Sequence, residues 1–193
     1  ETLRAFARAA LTRSGELLAR QSAMLGWAMA LAEEAEPHLT QGDQARWMAR
    51  LNAERLNLLS ALEFALSNGQ ALSGLRLANG LWRYWLNLAS HTEGRQWLER
   101  LLSVLPVSDV SPDAARARAR AWFGIGAMRY RQGDPSGADL VAKRASCAIN
   151  RYSPMSRSMA SGLPMASAAR CMTASTARLS NSRVTPAIAL LLY

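Results

Sequence analysis

The chain is poor in the residues that most often carry chemistry. Its 193 residues include two cysteines, two histidines and one lysine, Lys143. Cys147 and Cys171 have no metal-ligand spacing to each other or to His38 and His91, which argues against a zinc site. Two unpaired thiols fit a reducing, cytoplasmic setting. The longest late apolar run, from Ala187 to Leu192, is far short of the ~20 residues a spanning helix needs, which excludes a membrane anchor there. No secretory signal precedes the first helical pattern, and the chain opens on Glu1 without methionine. That opening predicts a fragment of a longer polypeptide or a processed product. Acidic residues are missing from one end altogether. All 14 lie between Glu1 and Asp139 beside 16 arginines, a balance of +2. From residue 140 onward there are seven basic residues (Lys143, Arg144, Arg151, Arg157, Arg170, Arg178, Arg183) and no acid, a balance of +7. Most of the net charge of +9 therefore belongs to the tail.

What is present is helix. Half of the residues are hydrophobic, enough to bury a sizeable core, and the length fits one domain or a little more. Residues 2–12 form a helical pattern with Leu3, Phe6, Ala7 and Ala10 on one face, ended by Ser14-Gly15. Residues 16–35 follow with a broad stripe of Leu17, Leu18, Met24, Leu25, Ala28, Leu31 and Ala32, closed by Pro37. Gly42-Asp43 supplies a turn and an N-cap for one regular helix over residues 44–66, carrying Trp47, Leu51, Leu58, Leu62 and Ala65. Asn68-Gly69 stops it. Residues 71–102 then hold three of the six tryptophans (Trp82, Trp85, Trp97) on two amphipathic helices. Between these helices, Ser90-His-Thr-Glu93 has the form of a capping box. Pro106 breaks the second one, and Ser111-Pro112-Asp113 starts a further helix to Arg131. Of Arg116, Arg118 and Arg120 in its first half, only Arg116 and Arg120 share a face, which is not a basic stripe for DNA. Short turns throughout predict antiparallel hairpins and an all-α fold.

Residues 119–145 carry a repeat-like signature. The tetratricopeptide unit is two helices over about 34 residues with small residues where they touch. Taking Gly126 as such a residue puts Trp122 four before it, Gly133-Asp134 at the turn, and Ala138 and Ala145 at the small positions of the second helix. Arg129, where an aromatic is usual, and Pro135 after the turn depart from the pattern; a plain hairpin is the alternative. After Ala145, Ser, Ala, Arg, Met and Thr dominate, and Pro154, Pro164 and Pro186 interrupt any helix. Residues 146–193 are expected to be a low-complexity, disordered basic tail. Translation out of frame is a further reading. The Met172 codon ends in G and the Thr173 codon begins with AC, so the shifted frame must read Asp there, inside what can become another repeat turn.

These segments resemble the region joining the winged helix of bacterial STAND-type, LuxR-like ATPase transcriptional regulators to their tetratricopeptide sensor. Residues 1–7 (ETLRAFA) are similar to the segment closing the winged helix, and residues 53–62 (AERLNLLSAL) to a helix near the start of the sensor. Arg55 and Leu59 there stand where the family usually has His and Arg. Residues 74–85 (GLRLANGLWRYW) and 93–102 (EGRQWLERLL) are the closest matches. The resemblance implies a winged-helix remnant over residues 1–15 and a tetratricopeptide-like domain over residues 16–145, the start of a right-handed solenoid. It further implies ATP as a cofactor of full-length members only, an inducer that is a protein or small molecule, and DNA bound through domains this chain lacks. No Gly-x-x-x-x-Gly-Lys-(Ser/Thr) segment is present.

Three functions were weighed. A non-enzymatic regulatory scaffold leads, with Trp82, Trp85 and Trp97 read as core rather than as a ligand cage. Nucleic-acid binding through the basic tail is the alternative. An enzyme using Glu33, Glu36 and His38, with Glu34 beside them, is the least favoured, since carboxylates this close at a helix end are usually a solvated face. No catalytic, cofactor or metal residue is assigned. Folding is expected from about residue 16 to 131.

Overall fold

A computed structural model describes residues 2–139, 141 and 143–144. The tail, with Cys147, Cys171 and Ala145, lies outside the described residues, so the disorder and frame readings bear on none of them. Among the described residues the chain is all-α, with no strand. It divides into two units, Glu1–Asp109 and Val110–Tyr193.

The first unit holds α1 (Thr2–Ser14), α2 (Leu17–Ala35), a 3₁₀ turn (Glu36–Thr40), α3 (Gln44–Ala53), α4 (Arg55–Ser67), α5 (Ala71–Asn87) and α6 (His91–Val104). Its centre is α5, which is buried on nearly every side and packs on α2, α4, α6 and the 3₁₀ turn. Small residues make this approach possible. A Cβ built on Gly74 would stand 2.8 Å from Ala65 Cβ and 2.7 Å from Leu101 Cδ2, and one on Gly94 2.8 Å from Trp85 Cβ. Real side chains almost never come so close, so glycine sets the spacing of α5 from α4 and α6.

The cross-links fix direction. Ser22 meets Gln70, Ala32 meets Gly80 and Glu36 meets Trp82, so α2 and α5 run parallel. Arg55 meets Glu93 and Glu63 meets Arg100, so α4 and α6 run parallel as well. Consecutive helices α5 and α6 are antiparallel, since Gly74 meets Leu101 and Gly94 meets Trp85. Two hairpins thus lie side by side in the same sense, α2 with α4 and α5 with α6, and the 3₁₀ turn and α3 form an insert in the first.

Several local expectations change. The single helix expected over residues 44–66 is two, broken at Glu54 (φ −95°, ψ 3°), whose carboxylate accepts from Asn57 Nδ2 at 2.8 Å. The hydrophobic period runs through the break, so periodicity alone could not see it. The capping box at Ser90 does not form: Ser90 makes no side-chain cap, and the Glu93 carboxylate goes to Arg55 of α4 instead. Asp43 likewise makes no side-chain cap, because its carboxylate is taken by the Trp47 indole. Phe6, expected on a buried face, is 65% exposed, and Leu18 is 61% exposed. Here α1 packs substantially only on α2, which leaves its apolar side uncovered by the described residues.

The punctuation at other ends is as expected. Gly69 takes φ +69° after Asn68, and Pro37 sits at the start of the 3₁₀ turn that follows α2. The α5–α6 turn is closed by Ala89 at φ 56°, a left-handed conformation, with Ser90 N–H donating to Trp85 O at 3.0 Å. The second unit begins with α7 (Pro112–Arg131), where Ser111 Oγ accepts from Ala114 N–H at 3.2 Å. After the Gly133 turn the chain is helical again at residues 135–139, 141 and 143–144. Pro135 occupies the first helical position there, where its missing N–H costs nothing, and Asp134 Oδ1 accepts from Gly137 N–H at 2.8 Å. Gly126 faces Ala138 and Val141, and Arg144 lies over Trp122, so this too is an antiparallel hairpin.

Candidate functional site

The acids singled out at the end of α2 are each tied to a different partner. Glu33 Oε1 accepts from Arg76 of α5 at 2.7 Å, Glu34 lies 3.8 Å from Arg50 of α3, and Glu36 Oε1 accepts from the Trp82 indole of α5 at 3.4 Å. The structure pairs each acid with a cation or an N–H donor rather than acid with acid. These groups join α2 to α3 and α5, and the 3₁₀ turn to α5.

His38 belongs to a cluster that sequence reading did not foresee. Its ring stacks on Trp47 at 4.9 Å and 12°, and its Nδ1 stands 2.9 Å from Asp43 Oδ2. The same carboxylate oxygen accepts from Trp47 Nε1 at 3.1 Å, and the Arg50 guanidinium lies 5.0 Å from the Trp47 ring centre. Behind it the Leu39 carbonyl accepts from Gln44 Nε2 at 2.8 Å and Asn87 Nδ2 at 3.3 Å. Tyr84 OH donates to Asn52 Oδ1 at 2.7 Å, on the last turn of α3. Burial pushes the Tyr84 phenol above its ordinary value of 10.0; the Arg55 guanidinium pulls it back and the Glu93 carboxylate adds to the rise.

The tryptophans divide. Trp82 and Trp85 are buried, whereas Trp97 is half-buried beneath the Arg100 guanidinium at 4.8 Å. Around Trp97, the parallel helices α4 and α6 are bridged by Arg55–Glu93 at 2.9 Å and Arg100–Glu63 at 3.4 Å. Leu56 of α4 and Val104 of α6 are left exposed. Apolar groups set among fixed, mutually neutralised charges suit contact with another protein surface. Glu93 lies 38 positions from Arg55, so no local pattern could have announced this face.

Among the described residues, no group of three or more His, Cys, Asp or Glu is placed to hold a metal ion, and no helix is long and apolar enough to cross a membrane. The charge divides with the fold. Residues 1–109 carry eleven arginines and eleven acids, whereas residues 110–193 carry twelve basic residues and three acids. In α7, Arg116 and Arg120 are exposed. Compared with family models, curated proteins and solved structures, the chain matches none.

Proposed function

We propose that this chain is a non-enzymatic regulatory scaffold, the first part of the tetratricopeptide-like sensor arm of a cytoplasmic bacterial STAND-type transcriptional regulator. On this reading residues 1–15 are the end of a winged helix and residues 16–145 the arm. The observation that carries it is the parallel placement of α2 with α5 and of α4 with α6, with glycines at the α5 crossings. Stacked helical hairpins of one sense are how such repeats bury a continuous core. The segments carrying the resemblance, residues 74–85 and 93–102, supply those glycines. The arm would receive a protein or small-molecule inducer and restrain an ATPase encoded elsewhere in the parent protein. Deleting the arm from the intact regulator tests this. Loss of inducer control over transcription is expected, and unchanged, still inducible transcription would sink the reading.

A second reading rests on charge: the whole excess of +9 lies in residues 110–193. Nucleic-acid binding through that end predicts an affinity that falls steeply with salt and is lost on truncation after residue 150. Sequencing the encoding DNA separates the two. A shifted frame that continues the repeat beyond residue 145 makes the tail's charge incidental, while its absence in every frame leaves the basic end to be explained.

A further inference from the structure

We propose that residues 36–53, the 3₁₀ turn with α3, form a strap that opens as a unit from the C-terminal half of α5 while the rest of the first unit stays folded. Three observations carry this. The strap is coherent in itself: the His38–Trp47 stack, the Trp47–Asp43 bond and the Gln44–Leu39 bond all join the 3₁₀ turn and its following loop to α3. It is bounded by the change from α-helix to 3₁₀ turn after Ala35 and by the break at Glu54. And α3 packs substantially only on the 3₁₀ turn and on its chain neighbour α4.

The 3₁₀ turn also packs on α2, and Arg50 of α3 lies 3.8 Å from Glu34 of α2, but the hydrogen bonds from the strap to α5 come from the C-terminal half of that helix. Tyr84 OH reaches Asn52, the Trp82 indole reaches Glu36 and the Asn87 amide reaches the Leu39 carbonyl. Leu39, Trp47 and Leu51 supply the buried apolar surface. Helices α2, α4, α5 and α6 pack on one another directly, with Gly80 against Ala32, Gly74 against Ala65 and Leu101, and Gly94 against Trp85. Segments with few attachments open locally at a free energy below that of global unfolding. A freed helix of α3's length is marginal in water, so its amides lose protection when it lifts. Opening bares the strap-facing sides of Trp82 and Tyr84, two aromatic rings that are buried when the strap is closed.

Native-state hydrogen exchange on the full chain, read by mass spectrometry, tests this. In the unsubstituted protein the amides of residues 44–53 should exchange together and ahead of those in α5 and α6. Asn52→Ala, at an exposed site, removes the acceptor for Tyr84 and should speed exchange of residues 44–53 about tenfold. Simple fraying of α3 predicts the opposite sign, because alanine is the better helix former. Gly74→Ala, at the far end of α5 from the strap, should speed α5 and α6 and leave residues 44–53 unchanged. The proposal is overturned if residues 44–53 and α5 share one rate, if Asn52→Ala slows or leaves that rate, or if Gly74→Ala speeds both groups alike.

Discussion

Alanine in place of glycine usually stabilises a helix, and in this protein the sign should depend on which glycine is changed. Gly80 lies on α5 where that helix crosses α2. A Cβ there would stand 2.8 Å from Ala32 Cβ, 3.0 Å from Ala32 C and 3.1 Å from Ala32 O. Two of those three atoms are backbone, held by α2's own hydrogen bonds, so no side-chain rotation relieves the clash and the helices must part. Overpacking of this kind costs roughly 1–3 kcal/mol, against a gain of about 1 kcal/mol from helix propensity. Gly80→Ala should therefore lose up to about 2 kcal/mol. Gly26, in the middle of α2, is exposed and has nothing within 4 Å of an added Cβ. Gly26→Ala should gain about 0.5–1 kcal/mol, the propensity term alone.

Urea titrations followed by tryptophan fluorescence and circular dichroism would read both variants, with midpoints moving in opposite directions. In thermal melts each kcal/mol corresponds to about 2–4 °C for a chain of this size. Adding Ala32→Gly to Gly80→Ala removes the clashing methyl, so the two changes should be less damaging together than their separate effects predict. If Gly80→Ala gains as Gly26→Ala does, the close crossing of α2 and α5 is wrong.

Other substitutions test other joints. Ala89 sits at φ 56°, a conformation that costs a non-glycine residue about 1–2 kcal/mol, so Ala89→Gly should raise the thermal midpoint, contrary to the usual effect of glycine. Ser111→Ala removes the side-chain cap of α7 and should cost about 1 kcal/mol, read as lost helicity in the second unit. The Tyr84 phenol, raised by burial, favours the folded state in its neutral form. Its contribution is whole below the unfolded value of about 10 and is lost as pH climbs through the higher folded value. Stability of the unsubstituted protein should thus fall faster above pH ~10 than that of Tyr84→Phe, and equal slopes in the two pH–stability curves would refute the assignment.

The parts of the fold legible in the sequence are those set by local chemistry. Helix α2 stops at Ala35 before Pro37, Gly69 and Gly133 take left-handed turns, and Ser111 caps α7. The buried faces of α4 and α5 follow from three- and four-residue spacing. What sequence reading missed depends on which partner claims a side chain, near or far along the chain. Glu93 looks like half of a capping box until Arg55 claims it, and Asp43 looks like a cap until Trp47 does. The break at Glu54 is invisible to periodicity because Leu51 and Leu58 stay buried on either side of it. Spacing puts Phe6 and Leu18 on apolar faces, but spacing names a face without saying whether anything covers it. The candidate site was less legible than the fold, because the α4–α6 face is assembled from residues 38 and 37 positions apart.

The inter-helix ion pairs are better understood as register marks than as glue. Among the described residues, Glu33–Arg76, Glu34–Arg50, Arg55–Glu93 and Glu63–Arg100 cross between helices of the first unit. All are partly exposed to solvent, where such a pair contributes about 0–1 kcal/mol. One buried leucine contributes about 1.5–3 kcal/mol, and Leu58, Leu62, Leu75, Leu81, Leu98 and Leu101 are all buried here. Apolar burial therefore sets whether the helices associate, but it is nearly indifferent to sliding. A slip of one helical turn, about 5.4 Å, keeps leucine against leucine. It would also separate Arg76 from Glu33 and carry Gly80 off Ala32, putting a larger residue into a gap sized for none. Two independent devices, a charge pair and a glycine notch, thus select the same alignment of α5 on α2. The Arg55–Glu93 and Glu63–Arg100 pairs do for α6 on α4 what the Gly74 and Gly94 contacts do for α6 on α5.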